Sequence, residues 1–254
     1  MNGQREIDKT HLSCDQAEER GFLHRDYIAH CLRWSHIVKY LGSRYKTARI
    51  LDIGCGKETP LIKTLYTMRM TPDMYFGVDA NKTACSTNIH DKIYDKMGKG
   101  NFELFWNFDA SEPAAFQYLD FTPTLITCFE VLEHVTPKKV IGILDNIRKV
   151  ADSQTKIFIS TPCFNGKAAA NHINEMTYKF MTDLMWEYFH IDRCWGTFAS
   201  QKDIEPMINQ DVDEIQHLYD ELKSYYDSNL LSVIFAPLFP SKSRNCMWKL
   251  SLKT

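Results

Sequence analysis

The sequence has no long apolar run. Nothing in it approaches the roughly 20 residues that cross a bilayer, so no membrane span is expected. Cysteines at metal or redox spacing are missing too. The eight cysteines, at positions 14, 31, 55, 85, 128, 163, 194 and 246, include no C-x-x-C pair, which speaks against a zinc ribbon or a dithiol redox centre. They read as reduced thiols of a cytoplasmic protein. Excess positive charge is also absent. Thirty basic residues against 32 acidic ones leave a net charge of −2. No global basic field draws nucleic acid, although composition leaves a local basic patch open. No internal repeat or low-complexity tract occurs, and the polar stretch from Met1 to Thr10 shows no signal-peptide pattern. What is present is 254 residues with 44% apolar content, enough for one α/β domain with decorations, or one domain and a small lobe.

Strand-like and helix-like stretches alternate along the chain. Phe22, Tyr27, Ile28, Cys31, Leu32, Trp34, Ile37, Val38 and Leu41 recur at helical spacing, which predicts an N-terminal helical extension over residues 1–45. Strands are expected at 49–53, 74–78, 102–108, 125–129, 156–160, 192–198 and 245–252, and helices at 61–68 and 177–189. Residues 81–100 read as a helix and then a loop. A further helix opens at Pro137, with Thr136 as its cap and Val140, Ile141, Leu144, Ile147 and Val150 as its buried stripe. Residues 200–242 read as a helical, loop-like insertion before the last strand. Such alternation demands a mainly parallel sheet with helices on both faces.

One stretch carries the most chemistry. The apolar run Ile50-Leu51-Asp52-Ile53 meets a Gly54-x-Gly56 turn, and helix-like residues follow from Pro60. A buried strand that delivers a glycine turn to a helix N-terminus is how open α/β sheets hold nucleotide-like ligands. The dinucleotide fingerprint needs a glycine at position 59, which is Thr59. A second apolar strand ends in Asp79, placed to accept hydrogen bonds from a ribose diol. Asp52 would face the cationic amino-acid end of a ligand that joins such a group to an adenosine diol. On these residues the chain resembles the class I S-adenosylmethionine-dependent methyltransferases, whose first motif runs apolar-Asp-x-Gly-x-Gly-x-Gly. It matches through Gly56 and departs at Glu58, which stands at the third glycine.

The resemblance implies a Rossmann-like, seven-stranded, mainly parallel α/β sheet whose last strand forms an antiparallel hairpin. The methyltransferase domain would span residues 46–254, with 200–242 capping the acceptor. The implied cofactor is S-adenosyl-L-methionine, held at the strand tips. Its expected contacts are Asp52, Gly54, Cys55 and Gly56 after the first strand, then Asp79, Ala80 and Asn81 after the second. Asp109 and Ala110 follow the third strand, and in the family a carboxylate like Asp109 accepts from the adenine amino group. Phe129 and Glu130 follow the fourth. Cys55 and Cys128 read as small packing residues.

Glu130-Val131-Leu132-Glu133-His134 places two carboxylates and an imidazole at the expected substrate mouth. Glu133 and His134 either brace the loop against the next helix, or serve as metal ligands, with His134 as an alternative general base. Glu-x-x-Glu-His resembles the O-methyltransferases of ubiquinone biosynthesis, where the segment binds a divalent cation. It also resembles the 2′-O-methyltransferases of small-RNA 3′ ends, where a later histidine joins the metal. His172, in His172-x-x-Glu175-x-Thr177, stands at the matching place. The same residues equally suit the start of a helix capped by Asn174. The resemblance thus implies Mg²⁺ or Mn²⁺ on Glu130, Glu133, His134 and His172. Without metal, His134 or His172 would deprotonate the acceptor directly, beside Glu130.

Other acceptor classes lose support from motifs that are not there. Amino-methylating DNA enzymes carry Asn/Asp-Pro-Pro-Tyr/Phe after strand four, where this chain reads Phe129-Glu130-Val131-Leu132. Pro162-Cys163 follows strand five, not strand four as in cytosine C5 enzymes. The expectation is an oxygen acceptor on a small molecule or sugar. The alternatives are a nucleic acid methylated at the 2′-hydroxyl or base, and a non-catalytic binding module to which Glu58 points. Trp186, Trp195, Phe198, Tyr219, Tyr225, Tyr226, Phe235 and Phe239, interleaved with Lys202, Lys223, Lys242 and Arg244, either bury against the sheet or flank a stacked base or sugar.

Overall fold

The computed structural model describes residues 25–82, 88–98, 100–166, 168–211 and 213–253. Cys14, Phe22, Cys85, Lys99 and the start of the N-terminal extension lie outside them, as does the side chain of Tyr27. In chain order the elements are α1 (Arg25–Leu41), β1 (Arg49–Ile53), α2 (Pro60–Thr67), β2 (Met74–Val78), α3 (Asn88–Met97), β3 (Phe102–Phe105) and β4 (Leu125–Phe129). Then come α4 (Pro137–Val150), β5 (Lys156–Pro162), α5 (Tyr178–Tyr188), β6 (His190–Ala199), α6 (Gln201–Asp211), α7 (Asp213–Lys223), α8 (Ser228–Phe235) and β7 (Ser243–Ser251).

The strands form one seven-stranded sheet in the order β3-β2-β1-β4-β5-β7-β6. Strands β1 to β5 pair in parallel, and β7 runs antiparallel between β5 and β6. Consecutive residues of a strand point to opposite faces, and here both faces are covered. Leu51, Ile126, Ile157 and Trp248 belong to the core on one face, and their neighbours Ile50, Leu125, Phe158 and Met247 to the core on the other. That two-sided burial is why the strands read as continuous apolar runs. Each fully buried Leu or Ile contributes about 1.5–3 kcal/mol.

Several boundaries differ from the sequence expectation for physical reasons. Strand β3 stops at Phe105 instead of running to 108, because Asn107 turns into the left-handed region with φ 56°. Strand β5 extends to Pro162, because β7 pairs with it as far as Pro162↔Asn245. In α4 the buried stripe is Val140, Ile143, Leu144 and Ile147; Ile141 is exposed. Thr136 occupies the cap position of α4 but makes no side-chain capping bond. Thr177, not Asn174, caps α5, accepting from Phe180 N at 3.2 Å.

The 200–242 insertion folds as α6, α7 and α8 plus short 3₁₀ turns. It packs a small core of Ile208, Tyr219, Leu231 and Phe235 with Ala199 at the end of β6. Of the interleaved aromatics, Trp195, Phe198, Tyr219, Phe235 and Phe239 are buried, and Trp186, Tyr225 and Tyr226 are exposed. Helix α1 lays Ala29, Ile37 and Leu41 inward, with Ala29 against Phe198 and Val233. It thereby ties the N-terminal segment to β6 and α8.

Candidate active site

The C-terminal ends of β1, β2 and β4 meet at the glycine turn. Gly54 and Gly56 both adopt positive φ, 72° and 71°, a conformation glycine reaches at no steric cost. A side chain at Gly54 would also strike Val131, since a Cβ there would lie 2.1 Å from Val131 Cγ2. The amides of Gly54 and Cys55 both donate to Val78 O, at 2.8 and 3.1 Å, which folds the turn over the tip of β2. Thr59 also adopts positive φ, 46°, although it is not a glycine. Its hydroxyl lies 2.6 Å from His90 Nε2, and it is fully buried.

Asp79 closes this turn. Its Oδ2 accepts from Gly56 N at 2.8 Å, and its Oδ1 accepts from the amide and carboxamide of Asn81 at 2.8 and 2.6 Å. Asp52 behaves differently from the open, ligand-facing carboxylate expected from sequence. It is 4% exposed, and its oxygens accept from Tyr75 Oη at 2.5 Å and Thr127 Oγ1 at 2.7 Å. Burial pushes its carboxyl up to about 6, against the pull of those two hydroxyls. Any action of Asp52 on a neighbouring cation would therefore run through its field, since hydroxyls of Tyr75 and Thr127 already engage both its oxygens.

Of the other expected cofactor contacts, Cys55 is buried, Ala80 exposed, and Asn81 and Phe129 half-buried. Burial, then the charges of Asp52 and Asp79, push the Cys55 thiol up. Ala110 is buried, and its carbonyl accepts from Asn146 Nδ2 at 3.0 Å. Asp109 accepts from Ser111 and pairs with Lys139 at 2.5 Å. Partial burial opposes ionisation there, but hydrogen bonds from Lys139 and Ser111 prevail and hold Asp109 below the usual carboxylate range.

The tip of β4 is strained. Glu130 adopts φ 56°, at a cost on the order of 1 kcal/mol or more. Its surroundings fix it there. Its Oε1 accepts from Ser160 Oγ at 2.8 Å, and its Oε2 accepts from Asn245 Nδ2 at 2.8 Å and faces Arg33 Nη2 at 3.1 Å. Arg33 comes from α1 and is 3% exposed. Sequence reasoning missed Arg33 and Asn245. Arg33 stands four residues from both Ala29 and Ile37 on the buried face of α1, so its spacing was the available signal. Asn245, at the start of β7, offered none.

Glu133, His134 and His172 converge. One ligand atom from each lies within 4.8 Å of the others. Glu130 stands outside this set, so three of the four residues expected on a metal come together. Glu133 is fully buried; its Oε2 accepts from Thr161 Oγ1 at 3.2 Å, and its Oε1 has no hydrogen-bond partner. Burial, then the neighbouring charge of Glu130, push its carboxyl well above the usual range. His134 Nδ1 faces the Asn171 carbonyl at 3.2 Å, so that nitrogen carries the proton. His134 Nε2 lies 3.9 Å from Glu133 Oε1. The rings of His134 and His172 meet edge to face with centroids 4.9 Å apart. His172 Nδ1 is bonded in turn to Glu175 Oε1. No helix among the described residues is long and apolar enough to cross a membrane.

A family model described as a methyltransferase domain matches residues 24–210. No curated protein matches by sequence. Solved structures share the fold at low identity. One is magnesium protoporphyrin IX methyltransferase of Synechocystis with bound S-adenosylhomocysteine: 11% identity, 96% of this chain, 89% of that one, TM-score 0.56. A second is 1,6-didemethyltoxoflavin-N1-methyltransferase of Burkholderia thailandensis, with 14% identity, 89% and 79% coverage and TM-score 0.54. A third is an O-methyltransferase from a polyketide multienzyme of Brevibacillus brevis, with 18% identity, 97% and 77% coverage and TM-score 0.53.

Proposed function

The chain belongs to this methyltransferase-domain family, and from that premise we propose that it uses S-adenosylmethionine to methylate a hydroxyl of a small molecule or sugar unit. The observation that carries the reading is the Gly54–Gly56 turn folded over β2 and closed by Asp79. The turn's backbone and Asp79 would hold the adenosine diol, and Asp109 would meet the adenine amino group. Asp52, ionised above a pH of about 6, would place a buried negative charge near the sulfonium and amino-acid end. The methyl donor supplies a strongly electrophilic methyl group. What the chain must add is alignment of the acceptor, exclusion of water and removal of a proton. His134 and His172, whose rings meet edge to face after β4, would be the bases for that step.

A second reading has its own support. The buried, unpartnered Oε1 of Glu133 and the convergence of its carboxylate with two imidazoles fit a divalent cation. Glu133, His134 and His172 would hold Mg²⁺ or Mn²⁺. Such an ion would lower the pKa of a bound hydroxyl. The two readings separate on a chelator. Labelled methyl donor is offered with pooled hydroxylated metabolites, sugars and RNA, with and without EDTA. Direct base catalysis predicts transfer to a small acceptor that EDTA leaves intact and His172→Ala lowers about 100-fold or more. Loss of transfer on chelation, restored by Mn²⁺, supports the metal. Transfer to RNA alone, with affinity falling steeply in salt, contradicts the small-acceptor reading.

A further inference from the structure

His172 rides on an irregular segment between β5 and α5, yet that segment is fixed at many points. Phe164 N donates to Met176 O at 2.9 Å, and Cys163 and Met176 form a parallel bridge. Ile173 N and Asn174 N both donate to Glu133 O, at 3.0 and 3.1 Å. The loop is thus laced to the element that bears Glu133 and His134. At its end sits Glu175, with a side chain only 2% exposed. Its Oε1 accepts from His172 Nδ1 and from the Ala169 amide, the latter at 3.2 Å. Its Oε2 is buried without a hydrogen-bond partner.

A helix-start role does not account for this carboxylate. Thr177 already caps α5. A buried carboxylate oxygen with no donor costs free energy that a smaller or apolar residue would avoid. A carboxylate accepts and does not donate, so the hydrogen it shares with His172 belongs to Nδ1, and the lone pair falls on Nε2. His134 reaches the same state through the Asn171 carbonyl.

We propose that Glu175 is a positioning residue for the acceptor site. It locks His172 in the Nδ1–H tautomer and turns basic Nε2 toward the mouth shared with His134 and Glu133. It thereby fixes the ring's orientation, as a buried aspartate does for the histidine of Ser-His-Asp triads. The inference rests on His172 meeting the acceptor, but its test needs no acceptor.

The test is long-range ¹H–¹⁵N correlation spectroscopy of the uniformly ¹⁵N-labelled full chain at about pH 8.5, above the ordinary histidine range. His172 is assigned by the loss of its signals in His172→Gln. The wild type is expected to show the Nδ1–H tautomer alone. In Glu175→Gln an amide offers donor and acceptor alike, so the two tautomers should approach about equal population. Thr177→Ala, which disturbs only the start of α5, should leave the tautomer unchanged. A wild-type His172 in the Nε2–H form overturns the proposal whether or not any variant folds. So does a Glu175→Gln spectrum identical to the wild type's. Calorimetry with S-adenosylhomocysteine on the same samples keeps the two readings apart. Missing heat there contradicts the cofactor reading, while the tautomer still reports on Glu175.

Discussion

Asp52 and Asp79 lie on neighbouring strand tips, and their surroundings give them opposite tasks. Asp79 binds the main chain of the glycine turn and Asn81. Asp79→Ala removes charge-assisted bonds of about 1.5–3 kcal/mol each, so affinity for S-adenosylhomocysteine should fall at least tenfold by calorimetry. Undiminished affinity would remove Asp79 from the site. Asp52 is the opposite case, a carboxyl raised by burial from 3.8 to about 6. The folded state therefore binds its proton more tightly than the unfolded state does. The stability contributed by this group is full below about pH 4 and is lost as pH rises through about 6, on the order of 2–3 kcal/mol in all. Asp52→Asn should flatten that part of the profile in urea unfolding between pH 4 and 8. The variant should gain on the wild type as pH rises, while binding the cationic cofactor more weakly. A stability difference independent of pH would show that Asp52 is not the titrating group.

At the scale of elements, the unexpected feature is the way α1 reaches the site. Arg33 crosses from α1 to Glu130 at the tip of β4, and Asn245 of β7 and Ser160 of β5 grip the same carboxylate. One side chain thus ties four elements together at the mouth. Removing the guanidinium in Arg33→Met leaves Glu130 without its cation, which should cost roughly 2–4 kcal/mol. Adding Glu130→Gln should recover part of that loss, a coupling readable in a double-mutant cycle. Amide hydrogen exchange should rise in α1 before it rises in β4. Additive effects with unchanged exchange in α1 would show that the helix is held by its apolar face alone. The apolar stripe of α1 was legible in sequence, but the Arg33–Glu130 link was not. Its partners are 97 positions apart, and local periodicity carries no information about such pairs. The β1 turn was legible because Gly54 and Gly56 mark required backbone states. Thr59 was misleading on the same ground. It reads as a missing glycine, yet the backbone there is left-handed all the same, and its buried hydroxyl meets His90.

Over the whole molecule, the alternation of apolar runs and amphipathic stretches was enough to read a doubly covered parallel sheet. Two-sided burial leaves that pattern in every central strand. Side-chain direction was harder. Glu130, Glu133 and His134 are near neighbours in sequence, but the left-handed turn at Glu130 sends its carboxylate to Arg33, while Glu133 and His134 turn toward His172. The family resemblance implied one four-residue cluster that includes His172, and backbone geometry divides it. The cofactor reading depends on the turn after β1, and isothermal titration of the purified chain addresses it directly. The account predicts clear, saturable heat with S-adenosylhomocysteine and little with NAD, with the former lost in Asp79→Ala. Silence with S-adenosylhomocysteine, together with saturable heat from NAD, would contradict it.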